Sequence, residues 1–242
     1  MDINSIRSLF PITTKCTYLN HADVGPIPAS VQTAMAEQGR LHMEYIGSAR
    51  NKVQDRYRAG RFLAAQLVEG SADRVSYIQN SADGLSIVIN GIDWQEGDNL
   101  IIPAKAFPTN YHPWMKLKQR GVEVRLIELH NGCLTPDALK PLIDERTRLV
   151  SISQVQFFNG FRVDLASFSE ICHAHDALLV VDGTQAVGGM TLDMWSSGTD
   201  VLIVSAHKWI LGPWGIGFMV FSDRAFEALE VSHIGLKSLR NP

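Results

Sequence analysis

The sequence predicts an α/β domain, a mostly parallel sheet of about seven strands flanked by helices. Three observations lead there. Short apolar runs rich in Val, Ile and Leu recur along the chain, stretches of helical periodicity alternate with them, and turn residues separate the two at regular intervals. Runs that are apolar on both alternating faces suit strands covered by helices on each side.

The elements follow in order. An N-terminal segment, residues 1–20, precedes a domain expected over 21–242. Pro26-Ile27-Pro28-Ala29-Ser30 opens a helical pattern that continues to about Tyr45, with an apolar face over 31–46. A second helix is expected from about Lys52 to Val68, with Gly70 as its C-cap. Strands are expected over 74–78, 99–102, 123–127, 148–152, 178–181, 201–204 and 216–221. Helices are expected over 82–92, 110–120, 136–143 and 164–175. No helix fits between the last two strands, so one edge strand is expected to run antiparallel.

Composition narrows the function classes. The chain has 242 residues, 45% of them hydrophobic and 19% charged, enough to bury a sizeable core. A net charge of −3 without a basic stripe argues against nucleic acid or an anionic membrane as partner. Residues 1–15 lack the apolar core of a secretory signal, and no run approaches the ~18 apolar residues of a membrane span. Cys16, Cys133 and Cys172 are scattered, odd in number and without metal-ligand spacing. They read as buried, inert thiols in a reducing cytoplasm.

In open α/β sheets, ligands sit beyond the carboxyl ends of the strands. Unusual residues gather at those ends here. Val201-Leu202-Ile203-Val204 runs into Ser205-Ala206-His207-Lys208, and Leu178-Leu179-Val180-Val181 runs into Asp182-Gly183-Thr184-Gln185. A lysine and a carboxylate displayed from two strand ends are what pyridoxal phosphate requires. The lysine forms a Schiff base and the acid partners the protonated ring nitrogen. A partly desolvated lysine also gains reactivity through a lowered pKa. An isolated Asp182 reads equally as a cap or ion-pair partner, and an isolated His-Lys pair as solvated surface. Their convergence makes them a candidate site.

Three more strand ends contribute. Gln79-Asn80-Ser81-Ala82 opens a helix whose N-terminus suits a phosphate, although Ser81 alone reads as an N-cap. Phe107 could stack on a pyridine ring or lie in the core. Gln154 could donate to a phenolic oxygen or a substrate carboxylate, or be a solvated loop residue. Gln185 could reach the same side of the ring. Ser205 and His207 would address the phosphate. The segment 212–217 is glycine-rich but precedes a strand, so it is not a dinucleotide fingerprint.

The chain resembles the class V aminotransferase family of fold-type I pyridoxal-phosphate enzymes, which includes cysteine desulfurases and isopenicillin N epimerase-like proteins. The resemblance rests on Tyr18-Leu19-Asn20-His21-Ala22, Phe107-Pro108-Thr109-Asn110, Val180 through Gly188, and Ser205 through Pro213. It implies Lys208 as the internal-aldimine lysine, Asp182 as ring-nitrogen partner, and Gln185 and Gln154 near the phenolic oxygen. It also implies Phe107 as the stacking ring and Ser81, Ala82, Ser205 and His207 at the phosphate. Ala82 stands where the family carries a hydroxyl. The family's C-terminal small domain, with its carboxylate-binding arginine, is not expected within these residues. The resemblance further implies a homodimer and a small amino acid as substrate, in aminotransferase, epimerase or lyase chemistry. Phe107 in place of histidine makes desulfurase activity the less favoured variant. Two other readings stay open: a non-catalytic cofactor-binding domain, and a nucleotide-binding domain, for which no glycine-rich phosphate loop is found.

Overall fold

A computed structural model describes residues 2–44 and 49–235. The expected helix end at Tyr45, the apolar Ile46 and residues 236–242 lie outside the described residues.

The elements are α1 (Ile3–Ser8), α2 (Ala29–Glu44), α3 (Ala49–Leu67), β1 (Val75–Ile78), α4 (Ser81–Gly91), β2 (Asn99–Pro103), α5 (His112–Met115), β3 (Glu123–Ile127), α6 (Pro136–Leu139), β4 (Thr147–Ser153), α7 (Leu165–Ala174), β5 (Leu178–Asp182), β6 (Val201–Ser205), β7 (Gly217–Phe221) and α8 (Asp223–Ala228). The seven strands form one sheet in the order β1-β7-β6-β5-β4-β2-β3. All strand pairs are parallel except those made by β7, which runs antiparallel to both β1 and β6. The reversed strand is therefore internal rather than at an edge. β1 pairs with its free side, closing that flank of the sheet.

Strand alternation builds two cores. Ile101, Val150, Ile152, Leu179, Val181, Leu202 and Val204 face α3, α6 and α7, where Phe168 and Cys172 are fully buried. Leu100, Ile102, Leu149, Val180, Val201 and Ile203 face the other way, onto α4 and the Trp114 segment. Each strand is apolar throughout because each face has its own helical cover. Burying Phe168 contributes roughly 1.5–3 kcal/mol.

Several expected helices are shorter or differently capped. The 110–120 segment breaks into 3-10 turns around the single turn α5, because Pro108 and Pro113 remove N–H donors. The 136–143 segment keeps only α6. After α3 the left-handed residue is Glu69, φ 52°, whereas Gly70 donates back to the Ala65 carbonyl at 2.8 Å. Of the three cysteines only Cys172 is buried, and burial pushes its thiol up to about 12; Cys16 is exposed and Cys133 partly so.

A buried carboxylate ties the amino ends of the central strands. Asp200 accepts from Leu179 N–H (2.8 Å), Arg224 (3.2 Å) and the Ser222 hydroxyl (3.0 Å), and His173 Nε2 lies 2.9 Å away. The candidate site is at the opposite ends of the same strands.

Candidate active site

A cleft of about 740 Å³ opens beyond the carboxyl ends of β1, β2, β4, β5 and β6. Lys208, Asp182, Phe107, Ser81, Ala82, Gln185, Ser205 and His207 all line it. These residues come from distant parts of the chain, brought together because parallel strands end on one side of the sheet.

Parity decides which strand-end side chains face this cleft. Asp182 and Ser205 are in phase with Val180 and Ile203, on the α4 side. Ser153 is in phase with Leu149 and pairs in register with Asp182. Gln154 is one residue further on and in phase with Val150 and Ile152, so it faces α7 instead. There it is buried and lines a separate pocket with Arg162, Asp164 and Leu165. Gln154 is not brought to the cleft, contrary to the sequence expectation. Its backbone N–H still donates to the Asp182 carbonyl at 3.1 Å.

Asp182 is held by two donors. Asn110 Nδ2 reaches one oxygen at 2.7 Å and also reaches Ser153 Oγ at 3.1 Å, while the Thr184 N–H reaches the other oxygen at 2.9 Å. A carboxylate has about four acceptor positions, so two hydrogen bonds leave it capacity for a further donor.

At the start of α4 the N-cap is Asn80, not Ser81: the Asn80 side chain accepts from the Asp83 N–H at 3.1 Å. Ser81 is thereby released for the cleft. Its hydroxyl lies 2.9 Å from Ser205 Oγ and 3.0 Å from Thr184 Oγ1, and its N–H donates to Ser205 Oγ at 2.9 Å. Thr184 Oγ1 in turn accepts from the Ser205 N–H at 3.0 Å. Three hydroxyls beside a helix N-terminus suit an anion such as phosphate.

Lys208 is half-buried, and its Nζ stands 5.6 Å from the centroid of the Phe107 ring. Burial lowers its pKa below 10.5, against the opposing pull of Asp182 and Asp23. His207 is lowered too, first by burial and then by Lys208, and stacks on Trp214 with centroids 3.9 Å apart. Phe107 meets the ring edge of Phe157 at 5.2 Å. Gln185 is fixed at both ends, donating to the Ala22 carbonyl (2.8 Å) and accepting from Trp209 Nε1 (3.0 Å).

Sequence reasoning missed Asn110, Ser153, Thr184, Asp23 and Trp214 as parts of this site. Asn110 and Thr184 lay beside residues already singled out, and the parity of β4 would have found Ser153. Nothing local in the sequence marks Asp23 or Trp214.

Residues 17–241 match the profile of the aminotransferase class-V family. Among curated relatives, a probable cysteine desulfurase of Methanothermobacter thermautotrophicus is 29% identical over 97% of this chain and 60% of its own length. A cysteine desulfurase of Klebsiella pneumoniae is 32% identical over 90% of this chain and 57% of its own. The chain thus spans about 60% of the length of these relatives. Among solved structures, the apo cysteine desulfurase of Thermococcus onnurineus aligns with a TM-score of 0.88 at 22% identity, over 98% of this chain and 61% of that one. C-DES carrying glycine covalently linked to its PLP cofactor aligns at 0.87 and 23%, over 93% and 61%. The chain belongs to the aminotransferase class-V family.

Proposed function

We propose that this protein is a pyridoxal-phosphate-dependent enzyme acting on a small amino acid, with Lys208 as the cofactor-binding and proton-transferring residue. The observation that carries this reading is the placement of Lys208 in one cleft with Asp182, Phe107 and the Ser81–Thr184–Ser205 hydroxyl cluster.

The residues present fit the cofactor. Ser81, Thr184 and Ser205, with the first turn of α4, would hold its phosphate, and neutral His207 would add a hydrogen bond there. Asp182 would hold the protonated ring nitrogen, and Phe107 would cover one ring face. Gln185 would lie near the phenolic oxygen, whereas Gln154 faces away and is left out of the donor set. When bound, pyridoxal phosphate supplies a conjugated electron sink for bond breaking at the substrate Cα. The lowered pKa of Lys208 gives its Nζ a larger amine fraction at neutral pH, suited to accept the Cα proton and return it. Asn110 and the Thr184 N–H keep Asp182 oriented, so its charge stays aimed into the cleft.

The test is exchange of the α-proton of small amino acids in D2O, followed by NMR on the cofactor-loaded chain. Exchange that disappears in Lys208→Ala supports the reading. Exchange that persists in that variant contradicts the role given to Lys208.

A second reading, cysteine desulfurase activity, is favoured by the names of the curated relatives. Among the described residues no cysteine lines the cleft, so the sulfur acceptor would come from elsewhere. Sulfide release from cysteine distinguishes it. A third, cofactor binding without turnover, draws support from the cleft's lining, which has no arginine among the described residues. It predicts normal cofactor loading and no α-proton exchange.

We include a homodimer in the proposal. Met35, Met43, Phe62 and Leu63 on α2 and α3 are exposed, an apolar surface that a second copy would cover. A reducing, cytoplasmic setting agrees with three free thiols, and among the described residues no helix is long and apolar enough to cross a membrane.

A further inference from the structure

Asp23 is a second carboxylate of the cleft, and the cofactor-binding roles above leave it without a task. It sits on a strap of residues 20–25 that crosses the Lys208 turn. The Gly25 N–H donates to the His207 carbonyl at 2.8 Å, and Gln185 Nε2 donates to the Ala22 carbonyl at 2.8 Å. A side chain at position 25 would overlap the Lys208 carbonyl, so only glycine allows the strap this close. Fastened on both sides, the strap sets Ala22 and Asp23 in the cleft wall with Lys208, His207, Phe107 and Trp214 around the same space.

The charges of that space are few. Among the described lining residues, Lys208 is the one lysine, no arginine is present, and the carboxylates are Asp23 and Asp182. Asp182 is occupied by Asn110 and Thr184, whereas the hydrogen-bond partner of Asp23 is the neutral amide of Asn20 at 3.3 Å. Its negative field acts across the cleft, raising the proton affinity of Lys208 and of His207. A molecule entering between Asp23 and the aromatic wall meets apolar rings on one side and, on the other, a carboxylate that makes no direct ion pair among the described residues.

Resting on the functional reading above, we propose that Asp23 is a specificity-determining residue that selects amino acids with neutral or positively charged side chains and rejects dicarboxylic ones. A second substrate carboxylate meets like charge at the cleft wall, and a side-chain ammonium meets its opposite. Asp23 is exposed, so the discrimination is modest, about 5-fold.

The experiment titrates the cofactor-loaded full chain with L-glutamate, its neutral isostere L-glutamine, and L-lysine, reading the change in cofactor absorbance. In the parent protein, glutamine and lysine bind about 5-fold more tightly than glutamate. In Asp23→Asn the glutamine-to-glutamate ratio falls towards one, and in Asp23→Glu it is retained. A ratio that is the same in the parent and in Asp23→Asn overturns the proposal while leaving the functional reading intact. No response to any of the three, or to L-alanine and glycine added as small-amino-acid controls, with the cofactor bound to Lys208, overturns that reading and this inference together. A response to the small amino acids alone overturns this inference and leaves the reading intact.

Discussion

Lys208 holds its ammonium 5.6 Å from the centroid of the Phe107 ring, across the cleft that also contains Asp182. The ring covers one side of the space beside the lysine, which the proposal makes the reactive group. Replacing it tests whether that cover matters. Phe107→Leu keeps apolar bulk but loses the flat face, and an aromatic stack contributes about 0.5–1.5 kcal/mol beyond burial. Affinity for pyridoxal phosphate is expected to fall about 3- to 10-fold by absorbance titration. Unchanged affinity would remove Phe107 from the cofactor site.

The hydroxyl cluster gives a second prediction. Ser205→Ala leaves the Ser81 N–H without the acceptor it has at 2.9 Å, a loss of about 1–3 kcal/mol for a buried donor. Both the denaturation midpoint and the cofactor affinity should drop. A drop in stability alone would make the cluster purely structural.

Much of this site could be read from the sequence, and each part that could not has its own physical cause. Lys208 and Asp182 were legible because an apolar run ending in a charged residue marks a strand end in a parallel sheet. Gln154 lies away from the cleft because facing depends on parity, which a strand end placed only to within a residue does not fix. One step of register moves a side chain from the α4 side to the α7 side. Ser81 reads as a cap in isolation, and the geometry assigns the cap to the adjacent Asn80. The antiparallel strand was legible from the short connection after β6. Its internal place was not, since pairing with β1 depends on contacts more than a hundred residues apart.

The pH dependence of Lys208 follows from its surroundings. Burial favours the uncharged amine, so its pKa lies below 10.5. In the window between the lowered value and 10.5 the folded protein binds fewer protons at this site than the unfolded chain, so its stability rises with pH there. The rate of cofactor attachment to the apo-protein should rise with pH and level off below pH 10.5. Asp23→Asn removes an opposing influence and should move the midpoint further down. A midpoint that rises in this variant would contradict the arrangement of charges.

Asp200 offers a control at the other end of the strands. Asp200→Ala leaves the buried Leu179 N–H without its side-chain acceptor and takes one partner from Arg224, which keeps Asp176 and the Ala177 carbonyl, at a cost of about 1–3 kcal/mol. Urea denaturation should show that loss. Cofactor affinity under native conditions should stay within about 2-fold of the parent, within the scatter expected for distant sites. A large fall in affinity without loss of stability would mean that the two ends of the sheet are coupled.

Every role proposed for the cleft depends on Lys208 carrying the cofactor. The most direct measurement is borohydride reduction of the chain after incubation with pyridoxal phosphate, followed by peptide mapping. A reduced pyridoxyl adduct confined to Lys208, and absent from Lys208→Ala, is the predicted result. An adduct on another lysine, or the same adduct yield in Lys208→Ala, would contradict the account.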